Sequence, residues 1–174
     1  MTAHGSSAAR PLSPFVWLGL PMLACVAATM LFAIPLRFWG LALPEPVFPL
    51  ALAFAWPMIR PSILPPFALL VLGLFLDVFW GGPQGLWPLC LLASYALALF
   101  ARRLSSGQEG LVMLAWYGAA TAGAFAAGFF LMTMDAGQAP NLVAIAWQYL
   151  ATLLLFPFAR WLIGRYEDAD VRFR

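Results

Sequence analysis

Lysine is absent from this 174-residue chain, histidine occurs once, cysteine twice, and charged side chains make up only 9% of the residues. Each shortage removes a class of function. A Gly-rich phosphate loop closes on Lys-Ser/Thr, so a chain without lysine has none. A serine-type or metal-type hydrolytic centre needs an imidazole at the site, and His4 stands alone in an N-terminal tail. A paired-carboxylate protease needs two carboxyls sharing a proton, and only Asp77 lies deep in an apolar run. The net charge of +2, carried by arginines without a basic cluster, gives nothing that could track a nucleic-acid backbone. Cys25 and Cys90 both fall in apolar runs and read as small buried hydrophobes, not a disulfide.

What the chain has in abundance is apolar surface. Hydrophobic residues reach 64% and mean hydropathy is +0.89, whereas soluble domains carry roughly 25% charged residues. The composition is that of an all-α integral membrane protein. At about 20 apolar residues per crossing, the length accommodates five or six helices and no separate soluble domain. The first apolar run is too long for the core of a cleavable signal, and no clean small-residue cleavage site follows it.

Residues 1–12 read as a polar tail, 13–166 as a polytopic membrane domain, and 167–174 as a charged tail. Within the domain the first helix is expected over 15–36, with Trp17 and Trp39 at the two interfaces. Residues 41–59 are apolar but broken by Pro44, Pro46, Pro49 and Pro57, which suits either a short crossing or a re-entrant element. The third helix starts at Pro65-Pro66 and ends near Trp80, and the fourth spans about 86–101 and stops at Arg102-Arg103. After the polar loop Ser105–Gly110, the fifth is expected over 111–133. Its recurrent Gly and Ala make it the expected packed centre of the bundle. Asp135 marks a loop, and the sixth runs from about Pro140 to Gly164 with Gln148 in its middle.

Arginine placement sets the orientation. With six crossings and the N-terminus inside, Arg10, Arg60, Arg102, Arg103, Arg160, Arg165, Arg172 and Arg174 are cytoplasmic and only Arg37 is outside. Five crossings with 41–59 re-entrant and the N-terminus outside fit equally well, misplacing only Arg10. Six is preferred because the stretch is more easily placed across the bilayer. Both arrangements put the C-terminus in the cytoplasm and the segment after Asp77 at the outer face.

That segment is the most informative of the chain: Gly73-Leu-Phe-Leu-Asp77-Val-Phe-Trp-Gly81-Gly82-Pro83-Gln-Gly85. A carboxylate near hydrocarbon is costly unless paired, hydrogen-bonded or wetted. The glycines allow positive φ or close backbone approach and Pro83 fixes its own φ, so the expectation is a hairpin with a rigid tip. Asp77 either caps the Gly81-Gly82 turn through backbone N–H groups or lines an outward cavity and meets a partner or ligand. Gln84, Gln148 and Thr121 are its possible polar neighbours, thin support for a proton relay or channel.

Gly73-Leu-x-x-Asp77, then Gly81-Gly82-Pro83 and Gly85, on the third of about six helices, resembles the bacterial rod shape-determining family MreD. The Pro-rich second segment, the arginine pair after the following helix and the short charged tail extend the likeness over essentially the whole chain. The resemblance implies no catalysis and no cofactor or metal. It implies an inner-membrane scaffold of the elongation machinery for lateral peptidoglycan and cell shape. Its direct partner would be MreC, whose single membrane helix would lie beside the bundle. RodA, a class B transpeptidase and the MreB filament would be further members. The implied fold is similar to the substrate-binding subunits of energy-coupling-factor vitamin transporters, six helices around an outward pocket, which supplies the alternative function. A clear set of polar pocket-lining residues, as a vitamin would require, is missing from the sequence.

Overall fold

The computed structural model describes residues 15–33, 37–38, 41–42, 45–104, 110–136 and 140–171. The tail with His4 and Arg10, as well as Trp39, Pro44, the loop 105–109, Arg172 and Arg174, lies outside the described residues. Helices account for nearly all the rest. One π turn, Phe15–Gly19, leads into α1 (Leu20–Phe32). A two-residue ladder pairs β1 (Arg37–Phe38) with β2 (Leu41–Ala42), Arg37 opposite Ala42. Then follow α2 (Phe48–Ile59), α3 (Leu64–Trp80), α4 (Leu86–Leu104), α5 (Gly110–Ala136), α6 (Leu142–Leu153) and α7 (Phe156–Val171).

Among the described residues, four stretches are long and apolar enough to cross a membrane: Phe15–Phe32, Leu86–Leu104, Gly110–Asp135 and Leu142–Tyr166. The last is α6 and α7 taken together. They are separated at Leu154-Leu155 because Pro157 has no N–H to continue the ladder. The N–H of Leu155 turns instead to the Thr152 carbonyl at 3.0 Å. Several boundaries differ from expectation: α1 ends at Phe32, short of residue 36, and within 41–59 the helix begins only at Phe48. α5 continues through Asp135, which sits in its last turn, and α7 continues to Val171, through most of the segment expected to be a tail.

The larger correction concerns the centre. It is α2, not α5. Leu50, Ala51, Leu52, Ala53, Phe54, Ala55 and Trp56 all have 0% exposure, the signature of a helix that is apolar all round. Alternating small and large side chains lets neighbours close in on every side. α5 buries one stripe only, with Tyr117, Ala120, Thr121 and Ala124, and presents Ala115, Ala119, Ala122 and Ala126 outward. At 12 residues α2 is about 18 Å long, short of a hydrocarbon core of about 30 Å.

Contacts between helix ends fix the relative directions of the helices. The hydroxyl of Tyr166 near the end of α7 donates to the carbonyl of Val16 at the start of the first helix (3.1 Å). Phe32 and Phe48 meet with ring centroids 5.2 Å apart, so α2 begins where α1 ends. Arg102 at the end of α4 donates to the Pro57 carbonyl at the end of α2 (2.6 Å). The helices therefore alternate in direction, α2 included, and the start of α1 lies at the same end as the close of α7. α2 thus runs from the end where α1 closes toward the end where α4 closes. Arg60, Arg102, Arg103, Arg160 and Arg165 gather at that common end, where the Arg160 guanidinium covers Gly110.

Arg102 has a structural task besides marking a helix end. In a regular helix the Pro57 carbonyl would accept from residue 61, but residue 61 is proline and has no N–H. The guanidinium supplies the missing donor from another helix. Replacing Arg102 with Leu should cost about 1.5–3 kcal/mol, the range for a hydrogen bond to a charged group. Thermal unfolding of the purified protein reads this directly, with Arg102→Lys recovering part of it. An unchanged melting temperature in Arg102→Leu would show that water already serves the carbonyl.

The other end of α2 is anchored similarly. The Val47 N–H donates to Thr152 Oγ1 (3.1 Å), Thr152 Oγ1 donates to Gln148 O (2.8 Å), and the Tyr117 hydroxyl donates to Thr152 O (2.8 Å). Thr152 thus joins α2, α5 and α6 at the point where α6 breaks.

Candidate functional site

The second half of α3 and the turn into α4 carry every residue of the glycine-aspartate pattern, and each has a definable geometric job. Gly73 faces Pro88 so closely that a Cβ would overlap the Pro88 backbone nitrogen and Cα. The two helices touch backbone to backbone there. One turn further on, Asp77 is 3% exposed and both carboxylate oxygens are engaged. Oδ2 accepts from the Gly85 N–H at 2.6 Å, and Oδ1 from the Trp87 N–H at 2.9 Å.

This is a helix cap supplied by a neighbouring helix. The first N–H groups of any helix lack intrahelical partners and carry partial positive charge. Pro88, in the first turn of α4, has no N–H to satisfy, so Asp77 serves two donors that remain. The expectation that Asp77 would serve the Gly81-Gly82 turn is corrected: its partners are Gly85 and Trp87. The reason is spacing. Gly81 is the C-cap of α3 in the left-handed conformation (φ 66°, ψ 30°), and the chain must pass Gly82, Pro83 and Gln84 before its N–H groups turn back toward the carboxylate.

Gly85 (φ 92°) makes that return possible, in a backbone region closed to most side chains. Trp80 and Trp87 bracket the turn with ring centroids 4.8 Å apart. Gly82 and Pro83 complete the link without a close neighbour at Gly82.

The polar residues nominated as neighbours of Asp77 are elsewhere. Gln84 is exposed on the turn, and Thr121 is buried in α5 with no hydrogen-bond partner for its hydroxyl among the described residues. Gln148 lines a cavity between α4, α5 and α6, together with Leu86, Trp87, Cys90, Gly128 and Phe129. This cavity lies directly behind the capped turn, but its volume is about 70 Å³, against roughly 300–1,000 Å³ for pockets that hold small-molecule ligands. Cys25 and Cys90 are free and buried in separate helices.

Several structural residues gave no warning in the sequence. Thr152 and Tyr117 look like ordinary members of apolar helices. Pro88 reads only as a tolerated first-turn proline. Trp87 reads as an interfacial aromatic, and nothing local says that its backbone N–H is held from another helix. The one available signal was negative: a carboxylate deep in an apolar run must find donors, and the first turn of the next helix is the nearest supply.

Comparison with known protein families, with curated proteins and with solved structures gives no match for this chain. The class the geometry defines is a helical bundle with four membrane-length apolar spans, organised around a short buried helix and one carboxylate-locked hairpin.

Proposed function

We propose that this chain is a non-enzymatic scaffold of a bacterial inner membrane, holding the single membrane helix of an MreC-type partner within the wall-elongation machinery. The observation that carries the reading is the complete internal use of Asp77. Its two oxygens are spent on Gly85 and Trp87, so the one carboxylate of the apolar interior serves architecture. The likeness of the Gly73–Gly85 pattern to the MreD family supplies the partner and the setting, with RodA, the class B transpeptidase and MreB as further members of the assembly. In this reading the arginine-bearing end faces the cytoplasm and the Asp77 hairpin is a rigid outer corner, not a contact in itself.

The vitamin-transporter alternative is less well supported, since the cavity behind the Asp77 hairpin, about 70 Å³, is apolar apart from Gln148 and too small for such a ligand. The outward face of α5 suits a helix partner better. Ala115, Ala119, Ala122 and Ala126 follow the spacing of one helix face and are exposed. Small residues let backbones approach closely in lipid, where packing and not hydrophobicity drives association.

A photoreactive side chain at position 122, activated in native membranes, should give an adduct with the membrane segment of an MreC-type protein. Ala122→Phe should lower co-purification of that partner at least about tenfold while leaving the melting temperature unchanged, since position 122 touches no core. Recovery of a cytoplasmic ATPase module with a bound small molecule would replace the scaffold with the transporter. Undiminished association in Ala122→Phe would remove this face.

A further inference from the structure

A second concavity lies at the opposite end of the α3–α4 pair from Asp77. It is an open groove of about 400 Å³ between the start of α3 and the last turns of α4, lined by Pro61, Ser62, Ile63, Phe67, Tyr95 and Leu99. Ile63 and Phe67 are 77% and 64% exposed, and no described residue covers them. The local chemistry is mixed in a specific way. The floor is apolar, the Tyr95 hydroxyl donates to Ser62 O (3.3 Å), and Ser62 Oγ is buried without a partner among the described residues.

Among the described residues, the charged side chains adjoining the lining in sequence are arginines. Arg60, exposed, immediately precedes the lining residue Pro61. Arg103, also exposed, follows the lining residue Leu99 by four positions on α4, which puts it on the same helix face one turn nearer the end. Arg102 is committed to Pro57 O and is not available. Neither 57–72 nor 91–104 contains an acidic residue, so neither segment supplies a partner for Arg60 or Arg103.

We propose that this groove seats one anionic phospholipid, an acyl chain lying against Ile63, Phe67 and Leu99 and the phosphate between Arg60 and Arg103. The groove opens on the surface of a bundle with membrane-length apolar spans, so hydrocarbon is its natural filling. What turns general solvation into selection is the pair of exposed arginines at the depth where headgroups begin. Juxtamembrane basic residues contribute about 1 kcal/mol each toward anionic lipid. This inference does not depend on the scaffold reading.

The test uses the full chain, stripped of lipid in mild detergent and titrated with phosphatidylglycerol or phosphatidylcholine of identical acyl chains, bound lipid being counted by native mass spectrometry. One phosphatidylglycerol should be retained in preference to phosphatidylcholine. Arg60→Gln or Arg103→Gln should weaken retention about fivefold, and the double variant about thirtyfold. Leu99→Trp, which fills the groove and leaves both arginines, should abolish the preference. Equal retention of the two lipids would overturn the site. So would an equal loss in Arg165→Gln, which removes a positive charge outside the groove, or full competition by soluble glycerol phosphate, which has the headgroup but no chain.

Discussion

Asp77→Ala should uncouple α3 from α4 without preventing membrane insertion. The substitution leaves the Gly85 and Trp87 N–H groups facing an apolar space, and a buried unsatisfied donor costs about 1–3 kcal/mol. Two such donors, together with the lost charge at a helix N-terminus, place the destabilisation at roughly 2–6 kcal/mol. The loss should be local first. Amide exchange at Gly85 and Trp87 should accelerate at least tenfold, each 1.4 kcal/mol being a factor of ten, while amides in the buried α2 keep their protection. Asp77→Asn retains one acceptor oxygen and turns an amide NH2 against the other N–H, so it should fall between wild type and Asp77→Ala.

The same pair of variants distinguishes architecture from direct recognition. If Asp77 acts by holding α4, partner association should decline in step with exchange at Gly85 and Trp87, and Asp77→Asn should lose proportionately less of both. If the carboxylate touched a partner, association would collapse in Asp77→Asn while the hairpin amides stayed protected. Wild-type exchange rates in Asp77→Ala would show that water replaces the carboxylate, and the cap would have no energetic weight.

How much of this was readable beforehand depends on the range of the interaction. The ends of α3 and α4 were legible because proline, glycine and paired arginine act locally: Pro65-Pro66 can only begin a helix, Gly81 ends one, and Arg102-Arg103 marks a membrane exit. The need for Asp77 to find donors was legible from burial cost alone, but not which donors, since those are set by the path of the turn. The centrality of α2 was hidden by its prolines. Pro49 lies in the first turn, where proline is tolerated, Pro57 sits inside the helix and removes one of its hydrogen bonds, and the carbonyl stranded by Pro61 is rescued by Arg102, 45 residues away. The Val47–Thr152 contact spans 105 residues, and no local pattern encodes it. α5 misled for a related reason: small residues on several faces permit close neighbours but do not state how many arrive.

Gly73→Ala should be the most damaging glycine-to-alanine change among the described residues. At most helical positions replacing glycine with alanine is favourable by about 1 kcal/mol, because it removes backbone entropy from the unfolded chain. Here the added carbon has nowhere to go. It would overlap the nitrogen and Cα of Pro88, and a backbone cannot swing aside as the tip of a side chain can. The helices must separate, and separation lengthens the Asp77 contacts to Gly85 and Trp87 that begin one turn away. Overpacking of about 1–3 kcal/mol is therefore joined by the loss of the cap, and the net effect should approach that of Asp77→Ala despite the favourable propensity. Two comparisons isolate the cause. Gly164→Ala, at a position with open space around it, should be neutral or stabilising, which controls for propensity. Gly73→Ala combined with Asp77→Ala should be much less than additive, because both act through the same separation of α3 and α4. Full additivity of the pair would mean that the glycine contact and the carboxylate cap are independent fastenings of one hairpin.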